Sequence, residues 1–198
     1  MGQRSEVRRG HRRTVRNAQV FRIGVITDTH GLYDPAIERH FAGVNEILHA
    51  GDIGGEHVIQ RLRQLAPVMA VSGNVDDFEA SGFPRRLIAR RAGVTIALCH
   101  ILYENGRMSP DAAAWLDREE ADVCVFGHSH RPMVVRHGRT LLMNPGSAGP
   151  RRFSLPRGIG ILTLAGGKPT AALIRLDDRI AAGASASNRS VRAKGART

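Results

Sequence analysis

The chain is 198 residues long, enough for one domain with an ample core, and no apolar run approaches the ~18 residues of a membrane span. Its formal net charge of +11 resides at the ends: residues 1–20 and 179–198 carry +5 each, leaving about +1 for the stretch between them. That distribution argues against a basic nucleic-acid-binding domain. It favours two solvated arms, 1–20 and 177–198, too poor in large apolar residues to fold, around a domain at 21–176.

The first residues, MGQRSEVRRGHRRTVRNAQ, lack the apolar stretch of a signal peptide, so a cytoplasmic location is expected. FRIGVIT (21–27) is a continuous apolar run, the mark of a strand covered on both faces. Asp34-Pro35 opens a helix to about Phe41, with Asp as N-cap and Pro in the first turn. VNEILHA (44–50) reads as a second strand and PVMAVSG (67–73) as a third. Between them, GEHVIQRLRQLA (55–66) has Val58, Leu62 and Leu65 at helical spacing. This βαβαβ order favours a parallel sheet with right-handed crossovers.

The second half changes character. RRLIARRAGVTIALCH reads as a hairpin around Ala92-Gly93. SPDAAAWLDREE (109–120) is a helix with Ser109 as N-cap, Pro110 in the first turn, and Trp115 and Leu116 facing inward. ADVCVFG returns a strand. PMVVRHGRTLLMN forms a hairpin turning at His137-Gly138, and GIGILTLAGGKPTAALIRL another turning at Gly166-Gly167. The two cysteines, Cys99 and Cys124, lie inside apolar runs and read as core residues rather than a disulfide. Alternation followed by hairpins suggests a mixed-sheet α/β sandwich.

Seven residues with metal-ligand chemistry sit at the ends of these strands: Asp28 and His30 in ITDTHG, Asp52 in HAGD, Asn74 in SGN, His100 in LCH, and His128 and His130 in FGHSH. Asp28 and Asp52 are 24 positions apart, and Asp52 and Asn74 are 22 apart, each close to one strand–helix–strand repeat. Each of these three thus emerges where a parallel strand ends, the usual place for a site in an open α/β sheet. Asp28/His30 and His128/His130 are i,i+2 pairs, which at a strand end turns both side chains to one face. Carboxylate, amide oxygen and imidazole together suit Mn, Fe, Zn or Ni. A carboxylate can bridge two ions, and Asp52 is the natural bridge. Two ions so placed would clamp a phosphoryl group and lower the pKa of a shared water.

D-x-H, G-D, G-N, H and G-H-x-H in this order resemble the calcineurin-like metallophosphoesterase family, most closely its small YfcE-like phosphodiesterase branch. The resemblance runs from about residue 21 to 175 and includes Asn144-Pro145-Gly146-Ser147 and Pro150-Arg151. It implies a four-layer α-β-β-α sandwich with two mixed β-sheets. It also implies that Asp28, His30 and His130 hold one divalent ion and Asn74, His100 and His128 a second, with Asp52 between them. Manganese is the first choice of ion; Fe, Zn, Ni and Co are alternatives. The implied reaction is hydrolysis of a phosphate ester by a metal-bridging hydroxide, with Asp52, Asn74 and His130 as the catalytic residues.

Two features depart from the pattern. Many members carry His after the G-N asparagine as a general acid or phosphate contact; this chain has Val75, followed by Asp76 and Asp77. Without that donor, esters whose leaving group departs readily should be favoured. The branch also reads H-G around the fourth element, where this chain has His100-Ile101-Leu102.

Other residues admit blander readings. His49 either orients a ligand or is a core histidine satisfied by its neighbours. His11, His40, His57 and His137 read as surface residues. Asp76 and Asp77 read as turn formers, with water binding as the alternative. Arg151 and Arg152 either meet a substrate phosphate or are solvated. Ser129 sits in a G-x-S-like context but has Arg131 where a nucleophile elbow needs glycine. Beside a phosphodiesterase, two other readings stand: a protein-interaction module on this fold, as in a eukaryotic retromer subunit, and a nuclease assisted by the basic ends. A homodimer is compatible with the sequence; a membrane partner is not expected.

Overall fold

The structure, a computed structural model of the chain, describes residues 20–152 and 154–176. The expected basic arms and His11 lie, apart from Val20, outside the described residues. The first apolar run forms β1 (Phe21–Ile26), followed by α1 (Ala36–His40), β2 (Glu46–His49), α2 (Glu56–Arg63) and β3 (Val68–Ala70). As the alternation predicts, β1, β2 and β3 are parallel, with Val25 opposite Leu48 and Leu48 opposite Met69. Asp34 Oδ1 accepts from the Ala36 N–H at 2.8 Å, so the expected capping bond is made although the helical backbone begins at Pro35.

Past a short α3 (Phe78–Ser81) come β4 (Arg86–Arg91) and β5 (Val94–Cys99), turning at Ala92-Gly93 as expected. A two-stranded ribbon follows, β6 (Tyr103–Glu104) and β7 (Arg107–Met108), then α4 (Pro110–Arg118) with its Ser109 cap accepting from the Ala112 N–H. The chain closes with β8 (Val123–Val125), β9 (Met133–His137), β10 (Thr140–Asn144), β11 (Gly158–Ala165) and β12 (Lys168–Arg175). The β9–β10 turn is Gly138-Arg139, one residue later than expected, because His137 still pairs with Thr140. Gly138 takes φ +56° at the first central position, where a II′ hairpin needs glycine.

One sheet runs β12-β11-β1-β2-β3 and the other β4-β5-β8-β10-β9, each mixing parallel and antiparallel neighbours. Between them lies a core of Ile23, Val25, Leu48, Ile96, Leu98, Val125, Met143 and Leu162. Ile37 of α1, Phe41 just after it, and Val58, Ile59 and Leu62 of α2 cover the outer face of the first sheet. Trp115 and Leu116 of α4 cover the second, with Cys99 and Cys124 beneath them as buried free thiols. This is the expected α-β-β-α sandwich. It explains why β1 is apolar and buried from Ile23 to Ile26: alternate residues face the other sheet and the helices. At the start of β2, Glu46 takes a bidentate pair from Arg91 of β4, both bonds 2.8 Å, tying the sheets together there. Among the described residues, no helix is long and apolar enough to cross a membrane.

Candidate metal centre

The loops leaving β1, β2, β3, β5 and β8 carry the seven candidate residues, and the packed sheets bring them together. The local backbone is unusual. Asp28, His30, Asp52, His128 and His130 have φ of 53°, 46°, 52°, 68° and 56°, in the left-handed region that non-glycine residues rarely adopt. This revises the extended-strand reading of the i,i+2 pairs: both pairs lie beyond their strands, and alternate left-handed residues, not the strand pleat, aim the side chains. Strained backbone of this kind persists only where the surroundings over-determine it.

The restraints are visible. The Asp28 N–H donates to Gly51 O, and His30 N–H to Asp52 O, locking the first two loops side by side. The Asn144–Ser147 loop supports them from the other side: Ser147 Oγ donates to Asp28 O at 2.9 Å, and Asn144 Nδ2 to Gly127 O at 2.9 Å. Gly73 and Gly127 are glycines because of close approach. A Cβ at Gly73 would collide with the Asp52 carboxylate, and one at Gly127 with Thr27 Oγ1.

Asp76 supplies a restraint the sequence did not show. Its carboxylate accepts the N–H groups of Ile53, Gly54 and Gly73, pinning the Asp52 loop to the Asn74 loop. Asp77 caps α3 through the Glu79 and Ala80 N–H groups, the expected turn role. His57 was expected on the surface and is exposed, yet its Nε2 lies 2.8 Å from Gly31 O, beside the His30 loop.

Two clusters emerge within the centre. In the first, His130 Nε2 lies 3.1 Å from Asp28 Oδ1 and 3.4 Å from His30 Nε2. In the second, Asn74 Oδ1 lies 3.1 Å from His100 Nε2 and 2.9 Å from His128 Nδ1. Asp52 stands between them, Oδ1 3.3 Å from His100 Nε2 and Oδ2 3.8 Å from His30 Nε2. All seven predicted residues therefore meet in one place. Asp28, His30 and His130 offer ligand atoms close enough to share one ion, as do Asp28, Asp52 and His100.

The arrangement fits cations. Asp28 Oδ1 is buried and makes no hydrogen bond, a costly state for an anion unless a cation neutralises it. His100 Nδ1 is 2.7 Å from Ala50 O, so the neutral ring donates there and turns its Nε2 lone pair towards Asn74, Asp52 and Asp28. Acceptors facing acceptors at these distances need a positive charge among them. Burial lowers the His100 pKa, but Asp52 and Asp28 prevail and raise it.

Burial likewise pushes the Asp52 carboxyl up, but the His100 hydrogen bond and charge and the Val75 N–H bring it down to about 2. Asp52 is thus a carboxylate at neutral pH. Burial lowers the His30 pKa, and the Arg152 charge lowers it further, placing that guanidinium within electrostatic reach of the first cluster. Arg151 instead donates to Leu155 O within its own loop.

His49 resolves into both of its readings at once. It is fully buried, and desolvation lowers its pKa to about 4. Its Nδ1 accepts the Gly51 N–H, so Nε2–H donates to Thr29 Oγ1, whose hydroxyl donates to Ile53 O. One satisfied core histidine therefore spans the Asp28–His30 and Asp52 loops. Ser129 Oγ takes a hydrogen bond from Asn144 Nδ2, a contact within the loop scaffold. Val75 is 55% exposed beside Asn74 and brings no proton donor.

A family model described as a calcineurin-like phosphoesterase superfamily domain matches residues 21–167. A probable metallophosphoesterase of Methanothermobacter thermautotrophicus is 33% identical over 160 residues, covering 77% of this chain and 91% of the relative. The fold is shared with vacuolar protein sorting 29 of Cryptosporidium parvum, with a TM-score of 0.64 and 21% identity over 79% of this chain and 97% of that one. It is also shared with a structure described as a novel archaeal phosphodiesterase, with a TM-score of 0.62 and 21% identity over 79% of this chain and all of that one.

Proposed function

The chain belongs to the calcineurin-like phosphoesterase superfamily, and from that premise we propose that it is a dinuclear-metal-dependent phosphodiesterase. The observation that carries this reading is Asp52: its two carboxylate oxygens face different clusters, His100 on one side and His30 on the other. Asp28, His30 and His130 would hold one divalent ion and Asn74, His100 and His128 the other, with Asp52 shared and manganese the first metal to try. When bound, the ions supply the Lewis acidity that makes a phosphate electrophilic and water a nucleophile near neutral pH.

The chain's own groups prepare that chemistry. Asp52, held to about 2, remains an anionic ligand throughout the working range. The Val75 N–H donates to its Oδ1 at 3.0 Å and fixes the carboxylate plane. Arg152, which acts on His30 electrostatically, is placed to attract an anionic ester. With Val75 offering no proton to a departing alkoxide, activated esters should turn over fastest. Resemblance to an archaeal phosphodiesterase supports diesters as the substrate class.

The test is turnover of bis(p-nitrophenyl) phosphate by purified protein loaded in turn with Mn, Fe, Co, Ni and Zn, alongside metal content per chain. Turnover with about two ions per chain supports the reading; inactivity with every metal defeats it. The likeness to vacuolar protein sorting 29, together with Val75, favours an interaction module as the second reading. Fewer than two firmly held ions and no turnover would decide for it.

A further inference from the structure

The loop that delivers His128 and His130 also delivers Arg131, whose guanidinium takes no part in the scaffold. Other arginines are committed: Arg86 to Asp111, Arg91 to Glu46, Arg139 to Asp122 and Arg157 to Asp34. Among the described residues, none accepts a hydrogen bond or an ion pair from the Arg131 side chain. Unpaired arginines are common on surfaces, so the missing partner decides nothing by itself. The position of this one does.

The backbone beneath it is fixed on both sides. His130, one residue earlier, is buried and held at a left-handed φ. Pro132, one residue later, packs so closely on the Asn144–Ser147 loop that a Cβ at Gly146 would come within 3.0 Å of its Cγ. Proline also confines the residue before it to extended backbone. The Arg131 N–H donates to Ser129 Oγ at 3.4 Å. The root of the side chain is therefore set relative to the metal centre, while the residue itself is exposed.

Arg131 and His128, with Ser129 between them, form one part of the lining of a cavity of about 640 Å³. Tyr103, Glu104, Asn105 and Gly106 of the β6–β7 ribbon form the other part. An anion entering by the open half of the centre thus meets a cation on the loop that carries two of the candidate ligands. The ribbon side bears the opposite charge at Glu104, so a second anionic group reaching that way would be repelled. The favourable place for negative charge is beside His128, where the phosphate itself would lie. A guanidinium suits that task, because its planar fork matches two phosphate oxygens at once.

We propose that Arg131 is a phosphate-binding residue, its guanidinium engaging non-bridging oxygens of the ester at the Asn74–His128 half of the centre. The proposal rests on the phosphodiesterase reading above, which puts the phosphate there. Arg152 exerts its charge on His30 of the closed half, so each half then has an arginine of its own.

Calorimetric titration of manganese-loaded protein with methyl phosphate tests it without turnover. Arg131→Gln should weaken methyl phosphate binding by about ten- to a hundredfold, the loss expected for charge-assisted hydrogen bonds. Manganese affinity should stay within about twofold. Arg131→Lys keeps the charge without the fork and should recover part of the loss. Arg136→Gln makes the same change of charge at an exposed position of β9 and should leave methyl phosphate affinity within about twofold. With bis(p-nitrophenyl) phosphate, Arg131→Gln should raise KM far more than it lowers kcat, as loss of a contact made equally to ground and transition states does. Three results overturn the proposal: unchanged methyl phosphate affinity in Arg131→Gln, equal weakening in Arg136→Gln, or loss of manganese in step with methyl phosphate. Each leaves the phosphodiesterase reading intact. An unmodified protein that binds neither manganese nor methyl phosphate overturns both.

Discussion

The two halves of the centre are built on different terms. Around Asp28, His30 and His130 the protein is closed: Asp28 is fully buried, His130 is 6% exposed, and Asp28 is held by Thr27, His128 and the Asn144–Ser147 loop. Around Asn74 and His128 it is open, both side chains being exposed, with only His100 buried. The closed half concentrates desolvated negative charge that a cation must balance. The open half gives up some of that electrostatic advantage for access to solvent and to the adjoining cavity. On the proposed function this is a division between holding and admitting: the first cluster would retain an ion, and the second would admit substrate.

Asp52 belongs to both halves, so the largest effect should follow from its change. Asp52→Asn keeps the shape and the Val75 N–H bond but removes the shared charge. Turnover of an activated diester should fall on the order of 10²–10³-fold with an unchanged circular-dichroism spectrum. A rate within threefold of the original would refute the shared role and leave two independent clusters.

The contrast itself is broken or sharpened by metal binding. Asp28→Ala should abolish the tighter of two binding events, and Asn74→Ala the weaker, each by at least about tenfold in equilibrium dialysis. If both substitutions weaken the same ion, the closed and open halves are one site and the division fails.

Much of this was legible from sequence for definite reasons. Asp28, Asp52 and Asn74 are separated by whole strand–helix–strand units, so pattern alone puts them on one rim. Alternation followed by hairpins pointed to a mixed-sheet sandwich, and the resemblance carried by the ligand motifs implied its four layers. The left-handed backbone at Asp28, His30, Asp52, His128 and His130 was not legible, because it is imposed by hydrogen bonds from loops up to 119 positions away, as between Ser147 and Asp28. Asp76 looked like a local turn former because two of its three partners lie 22 and 23 positions away. The β6–β7 ribbon was a different kind of miss. Its Asn105-Gly106 turn, with φ of 52° and 76°, is a hairpin signal present in the sequence and passed over between short strands.

Asp76 offers a test of what joins the halves mechanically. Asp76→Ala strands three N–H groups, and because the carboxylate is only half-buried, water replaces part of what is lost. A loss of about 1–2 kcal/mol in urea denaturation is expected. It should come with weaker binding at the Asn74 half and little change at the Asp28 half. Equal weakening of both ions would show that the pin sets the whole centre rather than the junction between loops.

The smallest effect concerns His49, which serves the closed half from beneath. Its pKa is about 4 in the folded chain and near 6.5 when unfolded. Between those values the unfolded chain binds the extra proton, so folding stability falls as pH falls. The neutral ring's contribution is fully present above 6.5 and is lost progressively towards pH 4. From pH 6.5 to 5.5 the decline from this group is about 1 kcal/mol, since a full proton contributes about 1.4 kcal/mol per pH unit and uptake is incomplete at the start. Measured in chelator, to remove ion binding from the balance, His49→Gln should flatten the stability curve over that interval. The carboxylate of Asp52 cannot supply the same signal, because its titration lies below pH 4. An unchanged slope in the variant would mean that the proton is taken up elsewhere, and that the Gly51–His49–Thr29–Ile53 chain holds the two loops without governing their acid limit.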